Sequence, residues 1–511
     1  MRLPYMGGEG EKSTQYIINF LGLNMGEGAQ NGEMTDCENL SSALYPVLSQ
    51  RTDRTLVGNY ISPDAIINKD GLFVIDGTRA IYKGTTVGEV AAGRKQLAVI
   101  GDIIVIFPDK KYYNVDTNAF GSLEETYTAA AGTITFANTT TEATITTSGE
   151  AFNFRVGDAI EISGCTSFPE NNKSAIVRGV DGKILTFYAN TFTAGKEESA
   201  VTITRKVPDL DFICESNYRL WGTMGNTIYA SKYGDPFNFY NYDGLTGDSY
   251  SIDVGSNGEF TGCIPYSSHI CFFKEDVMHK IYGSKPSNFQ VVEAQVYGVQ
   301  AGCERSLKIV NETLFYKGRN GVYAYTGSVP ELISSKFGVK RFADAVAESD
   351  GERYYISMRS GDEWGLYVFD ISRALWLKED NTHAVDMTVD NGRVVYLDEA
   401  GSLYRMEDAR TDKEIEWSAT FGKFTETVNE RKGYSKFHAR LDLEDNAWLQ
   451  IEMNIDGKGW RRIYTTHNDR KRTISVPIIP TRCDNIQLRI SGKGRCMLRS
   501  LVRDFTIGSE V

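Results

Sequence analysis

The sequence predicts an all-β fold: a β-propeller of six to eight blades with an inserted small β domain and a C-terminal β-sandwich. Two observations predict it. An apolar strand, a polar turn and a Tyr-bearing strand recur along the chain, and such a unit at a fixed pitch indicates a propeller or a solenoid. The 511 residues also include 49 Gly but only 12 Pro, with 12% aromatic residues. That composition is typical of many short strands and turns.

The clearest copy of the repeat is residues 217–236, NYRLWGTMGNTIYASKYGDP. Residues 219–223 and 227–231 are predicted strands, joined by a turn at residues 224–226, where Gly and Asn supply the positive φ angles that a short hairpin needs. In a blade, Trp221 and Tyr229 would be packing residues. Six further segments share the pattern and are predicted hairpins: residues 70–84, 101–116, 267–286, 311–330, 351–370 and 391–408.

One Tyr in each return strand marks the pitch of the repeat: Tyr82, Tyr113, Tyr229, Tyr282, Tyr325, Tyr367 and Tyr404. Five of the six spacings lie near the roughly 40–50 residues of a four-stranded blade. The exception is the spacing of 116 between Tyr113 and Tyr229, which contains a Thr- and Ala-rich segment at residues 128–206. Removing those 79 residues leaves 37. We therefore predict a domain inserted in a blade loop, where long insertions are tolerated.

The remaining boundaries follow from where the repeat begins and ends. The insert has six predicted strands, enough for a small sandwich or barrel: residues 133–137, 143–147, 159–163, 174–180, 184–188 and 200–205. The propeller is predicted at residues 56–127 and 207–411. Residues 1–55 are expected to be a polar arm and a strap that supplies an outer strand and closes the ring, because closure removes an exposed edge. Residues 412–511 carry longer alternating strands, which predict the sandwich.

Charge divides the chain in two. Residues 412–511 hold 18 Lys and Arg against 14 Asp and Glu, a balance of +4, and subtraction from the chain totals of 55 and 67 leaves −16 upstream. The formal net charge of −12 argues against a globally basic nucleic-acid binder. The basic end of one copy could dock on an acidic surface of a neighbour. A solvated sandwich with a slight basic bias explains the same numbers.

The sequence shows neither an apolar N-terminal leader nor a run of 18 apolar residues. We therefore expect folding in the cytosol of the producing cell and no membrane insertion by this chain. In a reducing compartment, Cys residues without a CxxC pair are expected to be buried free thiols. A disulfide between Cys263 and Cys271 across a hairpin is conceivable but disfavoured. The eight Cys are scattered along the chain: Cys37, Cys165, Cys214, Cys263, Cys271, Cys303, Cys483 and Cys496.

Candidate catalytic motifs are weak. In GGEGEKST, residues 7–14, Glu11 replaces the second Gly of a phosphate loop and no strand precedes it, so we expect no nucleotide site. His279 follows Glu275 and Asp276, and a carboxylate beside an imidazole can orient a base or bind a cation. In a strand–turn–strand unit, however, residues 274–276 are better explained as the polar turn.

Two further groups evoke carbohydrate chemistry. Glycoside hydrolysis needs two carboxyls from different elements across a cleft, but the acidic pairs all fall at predicted turns: Asp362-Glu363, Glu379-Asp380 and Asp398-Glu399. NIDGKGWRR, residues 454–462, approaches a sialidase-type Asp-box, but a hairpin turn at Asp456-Gly457 explains it better. Trp417, Trp448 and Trp460 could stack on sugars, yet aromatics on sandwich strands are usually core. The sequence therefore predicts a protein that is not an enzyme, with no catalytic, cofactor-binding or metal-binding residue.

Four segments carry a resemblance to a known class: residues 20–51, 219–240 (RLWGTMGNTIYASKYGDPFNFY), 272–283 (FFKEDVMHKIYG) and 314–327 (LFYKGRNGVYAYTG). They resemble the propeller-containing tail structural proteins, of the stabilisation, hub or nozzle type, of short-tailed bacteriophages. The resemblance covers about half of the chain, and the insert and the sandwich lie outside it.

The resemblance implies a non-enzymatic virion protein, assembled in the host cytoplasm as a homo-oligomeric ring of six copies around the DNA exit channel. Its implied partners are other copies of itself, an adaptor ring, and tail fibres or spikes. Genome DNA would pass through without sequence-specific binding. An acidic propeller is consistent with this role, because a negatively charged lumen repels duplex phosphates.

Two alternatives stay open at this point. The chain could be a host-surface adhesin that binds glycans through the insert or the sandwich aromatics. It could also be a propeller hydrolase that acts on polysaccharide, although the acidic turns are weak support. An adhesin would expose its insert at a distal tip, whereas a tube component would bury much of each copy against its neighbours.

Overall fold

The computed structural model describes residues 11–406, 414–444, 446–467, 471–479 and 481–507. It confirms the predicted fold class, because the described residues form strands and four short 3₁₀-helices and include no α-helix. Consistently, none of these residues belongs to a helix long and apolar enough to span a membrane. The 3₁₀-helices are Pro169–Asn171, Pro286–Asn288, Glu304–Ser306 and Ser335–Phe337.

Seven four-stranded antiparallel sheets of the described residues, here called sheets 1–7, have the form of propeller blades. In order from first to fourth strand, sheet 1 contains Pro63–Asn68, Leu72–Asp76, Arg79–Tyr82 and Thr85–Glu89, and sheet 2 contains Gln96–Ile100, Ile103–Phe107, Lys111–Asn114 and Phe120–Ser122. Sheet 3 contains Phe212–Ser216, Arg219–Met224, Thr227–Ala230 and Tyr250–Asp253, and sheet 4 contains Gly262–Tyr266, His269–Phe273, Val277–Tyr282 and Gln290–Gln295. Sheet 5 contains Lys308–Val310, Thr313–Gly318, Gly321–Tyr325 and Glu331–Leu332, and sheet 6 contains Ala343–Ser349, Arg353–Ser360, Glu363–Asp370 and Leu375–Asp380. Sheet 7 contains Ala384–Asp390, Arg393–Asp398 and Ser402–Met406, and its fourth strand is Arg54–Asn59.

The hairpins predicted from the sequence are the second and third strands of these sheets, and all seven marker Tyr residues lie in third strands. The end of the last hairpin, residues 407–408, lies outside the described residues. In sheet 3, Met224 pairs with Thr227, so the turn is Gly225 and Asn226. Gly225 has a φ of 56°, the left-handed conformation for which the sequence pattern requires Gly.

The chain divides into two compact units. One comprises Met1–Asn59, Lys308–Ala384 and Asn391–Val511; the other comprises Tyr60–Leu307 and Val385–Asp390. In the second unit, apolar cores lie between successive sheets. The core between sheets 3 and 4 includes Trp221, of which 1% is exposed, and half-buried Tyr229 packs in the core between sheets 2 and 3. Both residues are therefore packing residues, as predicted.

The insert is a separate two-sheet domain with its own core, which includes Phe136, Ile145 and Ile203. Nine strands form it, three more than the sequence predicted, because short edge strands carry little pattern. One sheet contains Glu125–Ala129, Val201–Arg205, Ala159–Ser163 and Ser174–Ile176; the other contains Gly179–Asp181, Ile184–Tyr188, Glu142–Thr147, Ile134–Asn138 and Gly195–Glu197.

A buried polar cluster joins the insert to the loop after the third strand of sheet 3. Arg205 of the insert donates from Nη1 to Asp158 Oδ2 at 2.6 Å, and Asn238 of the loop donates to Asp158 Oδ1 at 3.0 Å. Arg155 covers the ring of Phe237 at 3.7 Å. A satisfied buried polar network favours one arrangement, so these contacts anchor the insert to the loop of sheet 3.

The sandwich is formed by both ends of the described chain. Glu11–Ile17 pairs along Cys496–Ile507, and Met34–Glu38 pairs with Glu416–Phe421. One sheet also holds Leu40–Ser41, Leu48–Gln50, Lys432–Leu443, Lys471–Pro477 and Arg482–Cys483; the other also holds Ile486–Lys493, Trp448–Ile455 and Trp460–His467. The predicted strap at residues 1–55 supplies an outer strand as expected, because the strand Arg54–Asn59, which begins at its end, pairs with Ser402–Met406 as the fourth strand of sheet 7. The rest of the strap differs from the prediction: residues 11–50 add strands to the sandwich, because its long strands offer edges that need pairing.

Candidate functional site

A cavity of about 510 Å³ opens beside the strand that the N-terminal segment adds to sheet 7. Arg51 and Arg54 line it from the N-terminal segment, and His383, Asp398 and Glu399 line it from the loops that follow sheet 6 and the second strand of sheet 7. It contains one of the three acidic pairs that the sequence singled out, and a second pair lies directly behind it. It is therefore the best place to test whether this chain carries chemistry.

Arg54 is the centre of a buried ion-pair cluster in this wall. Strand pairing places it opposite Met406, at the start of the added strand. Its Nη2 lies 2.6 Å from Glu379 Oε2, and its Nη1 lies 2.7 Å from Asp380 Oδ2. The side chain of Arg54 is 9% exposed. Nη1 also donates to the hydroxyl of Tyr396 at 3.1 Å, so the cluster ties the added strand to sheets 6 and 7.

Electrostatics keep Arg54 and Asp380 ionised. Burial opposes the charge of Arg54, but Glu379, Tyr396 and Asp380 outweigh it and raise the pKa of Arg54. Burial alone would raise the pKa of Asp380. The charge of Arg54 and hydrogen bonds from Thr382 lower it by more than burial raises it, so the pKa of Asp380 is below its ordinary value. A glycosidase acid needs a raised pKa to hold its proton at neutral pH. Asp380 has the opposite property.

The turn predicted at Glu379-Asp380 is wrong, because both residues lie in the strand Leu375–Asp380. A strand tolerates this acidic pair here because two cations, Arg54 and Arg51, neutralise it. The other two pairs lie at turns. Asp362 precedes the strand Glu363–Asp370, and Asp398 ends a strand and accepts a hydrogen bond from the backbone of Ser402 across the turn.

His383 is an ionisable residue of this cavity that, like Arg51 and Arg54, the sequence did not single out. Its ring stacks on Trp364 with centroids 3.6 Å apart and planes 12° apart, and its Nδ1 lies 2.9 Å from Glu399 Oε2. No local sequence motif marks His383, because Trp364 and Glu399, the two residues that contact it, belong to different hairpins. The side chain of Glu399 is 75% exposed, so water screens this pair and the histidine is a weak candidate for a catalytic base.

His279 lies within a strand of sheet 4 and is 2% exposed. Its Nε2 lies 2.8 Å from the hydroxyl of Ser256, and burial lowers its pKa. Glu275 and Asp276 form the bend before the strand, as the turn interpretation predicts. His279 is thus a buried neutral imidazole with one hydrogen-bond partner.

The three Trp residues of the sandwich do not form one platform. Trp417 is buried, and its Nε1 donates to the carbonyl of Gly494 at 3.0 Å. Trp460 lies opposite Asn454, six residues along the strand from Trp448, a separation of about 20 Å. A sugar could contact only one of them at a time.

The remaining sequence candidates are structural. Asp456 and Gly457 have φ angles of 49° and 70° and turn the hairpin between Trp448–Ile455 and Trp460–His467. The end of the phosphate-loop-like segment, residues 12–14, lies in the strand Glu11–Ile17 rather than at a helix N-terminus, and residues 7–10 fall outside the described residues. No cluster of three His, Cys, Asp or Glu side chains suited to a metal occurs in the described part of the chain.

Comparison with known proteins adds little beyond this geometry. No protein-family profile and no curated protein matches the chain. Solved structures that are similar include BamB from Moraxella catarrhalis, at 9% identity and a TM-score of 0.36 over 71% of this chain and 99% of that one. The designed protein Ika8 has 11% identity and a TM-score of 0.35 over 69% and 98%.

An exo-beta-1,3-galactanase from Phanerochaete chrysosporium is also similar, at 8% identity and a TM-score of 0.21 over 56% of this chain and 92% of that one. All three TM-scores are low. The likenesses therefore carry no argument about substrate, partner or activity.

Proposed function

We propose that the chain is a non-enzymatic structural protein of a phage tail, a hub- or nozzle-type ring component around the DNA exit channel. The observation that carries the proposal is how the ionisable groups beside the cavity at sheet 7 are used. The ionisable residues beside the cavity, Arg54, Glu379 and Asp380, are consumed in mutual ion pairs that fasten strands together. A tail component must resist force and needs such fastenings, whereas an enzyme needs groups with free hydrogen-bonding capacity.

The buried polar contacts of the insert support the same role. Asp158 and Arg205, whose side chains are 1% and 4% exposed, pair with each other, and Asp158 accepts a hydrogen bond from Asn238 of the propeller. Residues 412–511 carry a balance of +4 and the residues before them −16, so basic side chains of the C-terminal strands in one copy are the proposed contacts for an acidic surface of the next copy in a closed ring. We propose six copies in the virion, with an adaptor ring and fibres or spikes as neighbours.

The direct test is the mass of the purified full-length chain, measured by native mass spectrometry and light scattering across a range of protein concentrations. We expect a closed oligomer, with rings visible by negative-stain electron microscopy. A chain that stays monomeric at high concentration, and that also fails to assemble on an isolated tail adaptor ring, would contradict the proposal.

One observation favours glycan binding as a second candidate function. Tyr188 at the surface of the insert is 60% exposed, and Arg178 covers its ring at 3.8 Å while pairing with Asp243 at 2.9 Å. An exposed aromatic ring beside charged groups suits a sugar. Binding of a monomer to host cell-wall glycan, lost in Tyr188→Ala, would support the adhesin. Release of reducing sugar, abolished by changing one carboxylate, would be needed for the hydrolase.

A further inference from the structure

Two cysteines face each other between sheets 3 and 4. Cys214 lies in the first strand of sheet 3, opposite Trp221, and Cys263 lies in the first strand of sheet 4, opposite Phe272. The rings of Trp221 and Phe272 pack together with centroids 6.3 Å apart. Cross-strand partners project to the same face of a sheet, so Cys214 lies on the face that carries Trp221, and Cys263 lies on the face that carries Phe272. Because these two rings pack together, the two faces, and with them the two cysteines, point toward each other.

The two thiols share one core. Cys214 and Cys263 both pack between the two sheets, their strands Phe212–Ser216 and Gly262–Tyr266 contact each other, and the two side chains interact. All eight cysteines are free in the structure, and Cys263 is only partly buried while the other seven are buried. Sheet register also rules out the hairpin disulfide considered from the sequence: Cys271 pairs with Ile264, so it projects to the face opposite Cys263.

We propose that Cys214 and Cys263 are a site of disulfide formation that crosslinks the first strands of sheets 3 and 4. The oxidant is a small-molecule disulfide such as oxidised glutathione. Cys263, the more accessible thiol, loses its proton and attacks one sulfur of the oxidant, which forms a mixed disulfide and releases one glutathione. Cys214 then loses its proton and attacks Sγ of Cys263, which releases the second glutathione. Two protein thiols are oxidised, one disulfide is reduced, and the released thiols carry the two protons.

The rate of closure should depend on pH. The hydrogen bond with Cys263, together with burial, raises the pKa of the Cys214 thiol well above its ordinary value. Thiolate is the attacking form, so the second step is slow at neutral pH and becomes faster at alkaline pH. A buried, protonated partner is consistent with thiols that stay reduced in the cytosol.

The crosslink would close a loop between residues 214 and 263 and stabilise the contact between adjacent sheets by restricting the unfolded chain. If the protein belongs to a virion, the bond would form after release into an oxidising medium. That timing rests on the proposed function, whereas the crosslink itself does not.

The experiment treats the full-length chain with oxidised glutathione, blocks remaining thiols with an alkylating reagent and maps the peptides by mass spectrometry. Trypsin leaves Cys263 and Cys271 in one peptide, because no Lys or Arg lies between them. Cleavage by chymotrypsin after Tyr266 separates them. We expect a Cys214–Cys263 linked pair, lighter than the two reduced peptides by two hydrogen atoms, and a rise of several degrees in Tm that a reductant reverses.

Matched variants make the outcome decisive. Cys214→Ser and Cys263→Ser should each abolish the linked pair and the reversible rise in Tm, whereas Cys271→Ala should keep both. A map of the unmutated protein that shows only glutathione adducts, or a link through Cys271, would overturn the proposal. The readout does not depend on oligomeric state, so a protein that proves to be monomeric could still form the bond.

Discussion

At the scale of single residues, Arg54 matters most for the end of the propeller. It donates hydrogen bonds to Glu379, Asp380 and Tyr396, whereas Arg51 lies farther away, 3.9 Å from Glu379 Oε2 and 3.6 Å from Asp380 Oδ2. Removing one partner of a buried ion pair leaves an uncompensated charge and costs about 3–5 kcal/mol. Sequence reasoning could not find this cluster, because Arg54 is more than 300 positions from its partners.

Arg54→Met should therefore lower the free energy of unfolding by about 3–5 kcal/mol in urea titration. The triple variant that adds Glu379→Gln and Asp380→Asn should recover part of that loss, because the orphaned charges are gone. If Arg54→Met and the triple variant unfolded like the unmutated chain, the cluster would have no role in holding the added strand.

His269 predicts a dependence of stability on pH. It is 8% exposed between Tyr266 and Tyr282, and neither ring nitrogen has a hydrogen-bond partner among the described residues. Burial and the nearby charge of Lys280 lower its pKa. As pH falls below about 6.5, the unfolded chain binds a proton that the folded chain resists, so the free energy of unfolding falls.

His269→Phe should reduce the slope of unfolding free energy against pH below neutrality, as measured by urea titration at a series of pH values. It should not abolish the slope, because the pKa of His279 is also lowered by burial. His467→Phe is the control, since His467 is exposed. Equal slopes in His269→Phe and His467→Phe would show that the orphaned imidazole does not govern the acid response.

At the scale of elements, the strands were predictable and their partners were not. The hairpins around Gly225 and the third-strand Tyr residues are local, so alternation and turn chemistry locate them. The pairing of Glu11–Ile17 with Cys496–Ile507 joins segments that share no motif. The same holds for the seating of the insert on Asn238. Long-range pairing depends on the complementarity of whole surfaces, and a single sequence carries little trace of it.

The insert makes a prediction at this scale. Its core is separate, and Glu125 pairs with Arg205, so its two ends lie side by side. Residues 124–206 expressed alone should fold cooperatively, and a chain in which a short linker replaces residues 125–206 should still unfold cooperatively. Both are measured by calorimetry. Loss of cooperative unfolding in the linked chain would contradict the insertion interpretation.

The hydrogen bond between Asn238 and Asp158 supplies a control for the chain in which a linker replaces the insert. Deletion leaves Asn238 without Asp158, so the deleted chain should lose about 1–3 kcal/mol of stability. Asn238→Ala in the full-length chain should cost a similar amount, because it leaves Asp158 short of one donor.

At the scale of the whole molecule, charge is the property most open to test. Arg461 and Arg462 lie exposed in Trp460–His467, the edge strand of its sheet, and neither forms an ion pair with a described residue. If these arginines of one copy dock on an acidic surface of another, salt should weaken self-association. The positive balance of residues 412–511 was visible in the sequence, but the sequence did not show which of its side chains are exposed and unpaired.

Arg461→Glu and Arg462→Glu should each weaken self-association in sedimentation velocity, with unfolding free energies changed by no more than about 0.5 kcal/mol. Lys183→Glu, which makes the same charge change at an exposed residue of the insert, should leave association unchanged. Oligomers that form equally well in the Arg variants and at high salt would show that this edge is not the docking surface.

The pairing of Glu11–Ile17 with Cys496–Ile507 also sets the order of events during synthesis. The first of these strands leaves the ribosome several hundred residues before its partner exists, so it waits while the intervening sheets form. A prematurely terminated chain can build blades but cannot complete the sandwich, and its unpaired edges would mark it for aggregation or proteolysis. Completion of this sheet therefore requires that translation has passed Ile507.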